Sequence, residues 1–186
     1  AWHPGIINLK YMSELLGIPV TIHALWHAGS YDPQDFLGRL IGDAPWVRHS
    51  EKAFFEAVDY NYFATDFHIN MFAFNLYKVR ASDIKDKVVR SGWPMEYMAE
   101  TLKPYANLKK RDLILFPHRI APEKQVEIFR DLAKAMPEYE WVVCQDQTLT
   151  KDEYHTLLGE AKIVFSANLQ ETLGISCYEG MLTGAI

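Results

Sequence analysis

A chain in which short apolar runs alternate with amphipathic stretches has few folds open to it, and this one alternates along its whole length. In the second half "LILFP" is followed by "PEKQVEIFRDLAKAM", "EWVVCQ", "TKDEYHTLLGEA", "KIVFSAN" and "GISCYEGMLTGA". The apolar runs are of strand length, and the stretches between them carry apolar residues at helical spacing. In the first half "INLKYMSELLG" reads as a helix stopped by Gly17, and "IPVTIHALW" as a buried strand. "PQDFLGRLIG" is a short helix with Pro33 near its start, and "SEKAFFEAV" a helix with Ser50 as N-cap. "YNYFA" is a strand of the sheet core, "TDFHINMFAFNLY" a helix capped by Thr65 or Asp66, and "DKVVRSG" a strand ending at Gly92. Strand, loop, helix, strand closes as a parallel sheet wrapped by helices, so the expected fold class is α/β. Ligands of such sheets bind beyond the carboxyl ends of the strands.

Composition narrows the function classes. The chain has 186 residues, 49% apolar and 13% aromatic, enough for a substantial core. Its net charge of -5 gives no general attraction to nucleic acid or anionic membrane. The cluster Lys109, Lys110, Arg111 is the one local exception, in a polar stretch that reads as a junction. Cys144 and Cys177 have no metal or redox spacing and are expected to be reduced core thiols of a cytoplasmic protein. No run approaches the length of a membrane span, and no secretory leader is expected. Both ends read as cut, so an internal piece of a longer protein is expected.

Two stretches carry chemistry. "RIAPEKQ" follows the strand "LILFP" and places Arg119 and Lys124 in the loop beyond it. "ETLGISCYEG" follows the strand "KIVFSAN". Glu171 falls in that loop, Gly174 allows a tight turn, and the helix begins near Gly174 or Ile175. Its first N–H groups then welcome an anion. Glu179 lies in the same helix, placed to accept from hydroxyls. Cations for a diphosphate and carboxylates for hydroxyls in one crevice suit a nucleotide sugar. Taken singly, each motif reads equally as solvated loop charge; their order on the predicted loops favours function.

With R-x4-K after one strand and E-x7-E after a later one, the chain resembles the retaining glycosyltransferases of the GT-B fold, family 4 type. Against the family pattern E-G-F-G, four residues, then E-A-M and G-x-P, this chain reads Glu171, Thr172, Leu173, Gly174, then Glu179, Gly180, Met181 and Gly184, with Thr172 replacing the usual glycine. The likeness covers residues 112–186 well and the earlier half more loosely. It implies two Rossmann-like domains: 1–100 from the acceptor side, a linker at 101–111, and the donor-binding domain from 112 to 186. It implies that Arg119 and Lys124 contact the donor diphosphate and that Glu171 lies against the transferred sugar. The backbone at Thr172, Leu173 and Gly174 would approach sugar and phosphate, and Glu179 would bind the ribose. Gln145 and Gln147 stand where the family has a glycine-rich turn, which leaves the nucleotide open.

In the first half "WHAGSYDP" puts His27 just past a strand end. The resemblance places a histidine-bearing loop on the acceptor side, where His27 would orient the sugar or assist proton removal. The alternative is a ring that hydrogen-bonds its own turn. Asp32 reads as a helix cap, His23 as core, and His68 as a first-turn residue with a weak claim on the cleft. Trp46, Trp93 and Tyr97 read as buried rather than as an acceptor groove. There is no D-x-D, HExxH, Walker A or G-x-S-x-G motif. No cofactor or metal is therefore expected beyond the nucleotide-sugar co-substrate.

The expected activity is metal-independent hexosyl transfer with retention. The acceptor would be a saccharide or lipid-linked sugar, with a nucleic-acid base as a minority choice. A non-catalytic nucleotide-sugar binding module and a GT-B sugar-nucleotide epimerase are the alternatives.

Overall fold

The structure, a computed structural model, describes residues 3–41, 44–171 and 173–186. The chain divides into two compact units, Ala1–Trp93 and Pro94–Ile186. Each is α/β, built on a three-stranded parallel sheet.

The first unit runs α1 (Gly5–Leu16), β1 (His23–Trp26), α2 (Phe36–Leu40), α3 (Pro45–Ala57), β2 (Tyr60–Phe63), α4 (Asp66–Phe72) and β3 (Val88–Arg90). A π-helical segment, Ala73–Tyr77, continues α4, and a 3-10 segment, Ala81–Lys87, precedes β3. The strand order is β1-β2-β3, with Trp26 opposite Phe63. Gly17 stops α1 in the left-handed region, at φ 65. Thr65, not Asp66, caps α4, its hydroxyl accepting from the His68 N–H at 3.2 Å.

Several sequence expectations change here. The strand expected over 18–26 shrinks to four residues because its partner begins only at Tyr60. The Asp59 carboxylate takes the Ile22 N–H at 2.7 Å instead. Ser50 is not an N-cap: α3 starts five residues earlier at Pro45, and the Ser50 hydroxyl donates back to the Trp46 carbonyl. Asp35, not Asp32, caps α2, while the buried Asp32 carboxylate accepts from Gln34 N–H and shapes the turn. His23 is exposed rather than core, because β1 alternates and only Ala24 and Trp26 point inward. Likewise only Asn61 and Phe63 of "YNYF" are buried. Trp46 and Tyr97 are exposed, while Trp93 is half-buried. The core is aromatic: Trp26, Tyr31, Phe54, Phe55, Phe63 and Phe72 pack in one cluster. Trp26 and Phe63 stack at 5.9 Å between ring centres.

The second unit runs α5 (Glu96–Leu102), β4 (Arg111–Phe116), α6 (Val126–Ala135), β5 (Glu140–Val143), α7 (Lys151–Glu160), β6 (Ala161–Val164) and α8 (Ile175–Leu182). Residues 101–111, read as a linker, hold the end of α5 and the turn into β4 within this unit. The strand order is β5-β4-β6. Alternate residues of the central β4 feed opposite faces. Leu113 and Leu115 meet Cys144, Leu158 and Ala161 on one side. Ile114 and Phe116 meet Val126, Phe129 and Val143 on the other. The helix expected from Pro122 onward is split. Gln125 is left-handed, at φ 52, and Pro122–Lys124 forms a 3-10 turn, so Lys124 belongs to the loop and not to α6.

No helix among the described residues is long and apolar enough to cross a membrane.

Candidate functional site

In the second unit the chain leaves β4 to one side for β5, then crosses to the other side for β6. The sheet therefore changes direction between β4 and β6. Ligands of open α/β sheets bind at such points, and the loops after those two strands flank this one. Those loops carry the two motifs. Lys124, only 12% exposed, places its Nζ 2.5 Å from Glu171 Oε2. The same oxygen accepts from Asn168 Nδ2 at 2.8 Å. Phe165 N–H donates to the Leu115 carbonyl at 2.8 Å, and Leu169 N–H to the Glu123 carbonyl at 3.0 Å, so the two loops are clasped together.

Arg119 reaches back to the buried Glu123 carboxylate at 2.7 Å. From the neighbouring β5 loop, Gln145 Oε1 accepts the Ile120 N–H at 2.5 Å. Gln145, standing where the resembled family has a turn glycine, therefore ties a third loop to the Arg119 segment.

Gly174 opens α8 in the left-handed region, at φ 69, a conformation that L side chains rarely adopt. The N–H groups of the first turn of α8 have no acceptor within the helix. Gly180 lets α8 lie against β6, since a Cβ there would stand 2.6 Å from a Val164 methyl. Leu173 is half-buried beside Gly174, and Thr172 lies outside the described residues. Glu179 is in the second turn of α8, and its carboxylate accepts from the Tyr154 hydroxyl at 2.7 Å. Burial and that carboxylate push the Tyr154 pKa well up, so the phenol stays a donor. The partner of Glu179 thus lies on α7, apart from the Lys124–Glu171 pair.

Sequence reasoning missed His118. It lies two residues past β4, is 5% exposed, and packs edge-on against Phe116. Its Nε2 is buried and has no hydrogen-bond partner. Burial, aided by the nearby Lys124 charge, lowers its pKa and keeps it neutral. The signal was visible as "PHR", a polar ring at the mouth of an apolar strand. Asn168, Glu123 and Tyr154 carried no such mark.

His27 belongs to the first unit, at the carboxyl end of β1. Its ring stands edge-on to Trp93 at 4.6 Å, and partial burial lowers its pKa. The loop that follows is fixed from below. The buried Glu51 carboxylate accepts from Ser30 N–H and Ser30 Oγ, each at 2.6 Å. Tyr31 Oη and His68 Nε2 are 2.8 Å apart. His68 is wholly buried, with a pKa lowered to about 4, so it is core and neutral rather than a cleft residue.

Two of the three cations of the basic cluster are committed within their own unit. Lys110 donates to the Thr183 carbonyl at 2.7 Å, and Arg111 pairs with Glu140 and Glu160, each at 2.8 Å. Cys144 is buried and its thiol is pushed up to about 11, which makes it a poor nucleophile. Among the described residues no three His, Cys, Asp or Glu side chains gather as a metal site.

On the loops after β4 and β6 the second unit thus carries a largely buried lysine, an exposed arginine, a carboxylate and the start of α8. Cations and a helix start suit an anion, and carboxylates accept from hydroxyls. No protein-family model matches the chain, and no curated protein matches it.

Proposed function

We propose that this chain carries the donor site of a metal-independent, retaining glycosyltransferase of GT-B type. The observation that supports it best is the 2.5 Å meeting of Lys124 and Glu171 at the point between β4 and β6 where the sheet changes direction. One residue comes from each motif, and the sequence separates them by 47 positions.

On this reading a nucleotide diphosphate enters with its phosphates toward Lys124, Arg119 and the first turn of α8. Their charge stabilises the departing diphosphate as the glycosidic bond lengthens. Lys124 exchanges its carboxylate partner for a phosphate oxygen, which frees Glu171 to face the sugar and its developing positive charge. Glu179, held by Tyr154, takes the ribose hydroxyls. His27 serves the acceptor side, with a saccharide or lipid-linked sugar as acceptor, in the cytoplasm.

A binding module without turnover is the second reading. It is favoured by one observation: Lys124 and Arg119 already have carboxylate partners, at 2.5 and 2.7 Å.

Titration calorimetry with UDP, GDP and ADP and their hexose conjugates tests both. One diphosphate should bind, and Lys124→Ala should weaken it at least about tenfold, as expected for a charge-assisted contact. Absence of binding to all of them sinks both readings. Binding without sugar transfer to any saccharide or lipid-linked acceptor leaves only the module.

A further inference from the structure

The first unit carries a cavity that has no part in the donor-site reading. It has a volume of about 200 Å³ and opens to solvent. Pockets for drug-sized ligands hold roughly 300–1,000 Å³, so this one suits a molecule of few heavy atoms. The loop after β1 lines it with Ser30 and Tyr31, α2 with Gly38, α3 with Arg48, and the π-helical segment with Asn75 and its cap Lys78.

These walls are tied to one another. Arg48 Nη1 donates to the Asn75 carbonyl at 2.7 Å, and Asn75 Nδ2 donates to the Tyr31 carbonyl at 2.7 Å. Gly38 lets α2 come close, since a Cβ there would stand 1.9 Å from the Asp32 carbonyl oxygen. The cavity is therefore shaped before a ligand arrives, which lowers the cost of binding.

Among the described residues, both charged side chains that line the cavity are cations. Arg48 is half-buried and Lys78 is exposed. The carboxylates whose charge reaches Tyr31 are Glu51, Asp32 and Asp35. None of them lines the cavity, and they accept from the N–H groups of Ser30, Gln34 and Leu37. Lys78 is left-handed, at φ 61, where it ends the π-helical segment. Left-handed non-glycine residues and π segments both cluster at functional sites.

Two cations in a small open cavity call for an anion. A phosphomonoester carries about −1.5 to −2 charges at pH 7 and a carboxylate only one, so the charge count selects phosphate. Arg48 presents a planar fork to its oxygens and Lys78 a point charge. We infer that this cavity binds the phosphate group of a small phosphomonoester between Arg48 and Lys78. The site lies within the first unit and does not depend on the donor site.

Titration calorimetry of the full chain with inorganic phosphate, glycerol phosphate and acetate tests this. Both phosphates should bind, and acetate more weakly or not at all. Lys78→Gly removes the charge while glycine accepts the left-handed backbone. It should weaken both phosphates at least about tenfold, as expected for one charge-assisted contact. Arg48→Gln should weaken them at least as much. If Arg48→Gln no longer melts cooperatively, Lys78→Gly and Lys78→Asn, both suited to positive φ, carry the comparison. Absence of saturable phosphate binding overturns the inference, and so does equal affinity for acetate. A loss confined to Lys124→Ala, with Lys78→Gly binding as before, would put the anion at the donor loops and overturn it too.

Discussion

The two units use the same layout and spend it differently. In the second, the central strand "LILF" is buried on both faces, as parallel strands commonly are, and its alternate residues feed two separate clusters. In the first, β1 and β2 alternate between buried and exposed positions. Their outer face shows His23 stacked on Tyr60 and Tyr62, with Leu25 beside them, uncovered among the described residues. Beneath the His27 loop, Glu51 and Asn61 are bonded into the aromatic core. Each unit also holds buried polar atoms without a partner, His68 Nδ1 in the first and His118 Nε2 and Asn168 Oδ1 in the second, so bare atoms do not distinguish the two.

That contrast can be broken by emptying one core. Phe72→Ala removes a fully buried ring from the centre of the aromatic cluster and should cost about 3–5 kcal/mol. Limited proteolysis should then cut within residues 1–93 and spare 94–186. Equal cutting in both would show that the two cores are one cooperative system.

Acid sharpens the contrast next. Burial holds His68 at about 4 when folded, against 6.5 for the free side chain. Its contribution is present in full above pH 6.5 and is lost as pH falls toward 4, on the order of 3 kcal/mol in all. Urea unfolding should show the first unit losing this stability between pH 7 and pH 4. His68→Phe should flatten the dependence. An unchanged slope in that variant would place the acid sensitivity elsewhere.

The smallest effects separate two kinds of glycine. Gly180→Ala drives a methyl to within 2.6 Å of Val164 Cγ2 and should cost about 1–3 kcal/mol by pushing α8 off β6. Gly92→Ala meets nothing within 4 Å and loses only its left-handed freedom at φ 67, about 1 kcal/mol. Thermal melts of the two variants give the order directly. A reversed order would mean that α8 slides at little cost.

Much of the layout was legible because it rests on local pattern. The alternation of apolar runs with helical stretches named every strand and most helices, Gly17 and Gly174 marked their turns, and Thr65 its cap. These are properties of neighbours in sequence, so composition and spacing determine them. The loops that would carry Arg119, Lys124 and Glu171 were legible for the same reason. What only the tertiary structure decided were lengths and partners. β1 is four residues long because β2 offers no more to pair with. Ser50 and Asp32 lost their cap roles because helix starts follow backbone packing, and a cap-type residue can serve equally well inside a helix or a turn. That His118 Nε2 and Asn168 Oδ1 lack partners became visible only once residues from two distant loops were folded together. An unsatisfied acceptor is defined by what surrounds it in space, and no spacing along the chain records that.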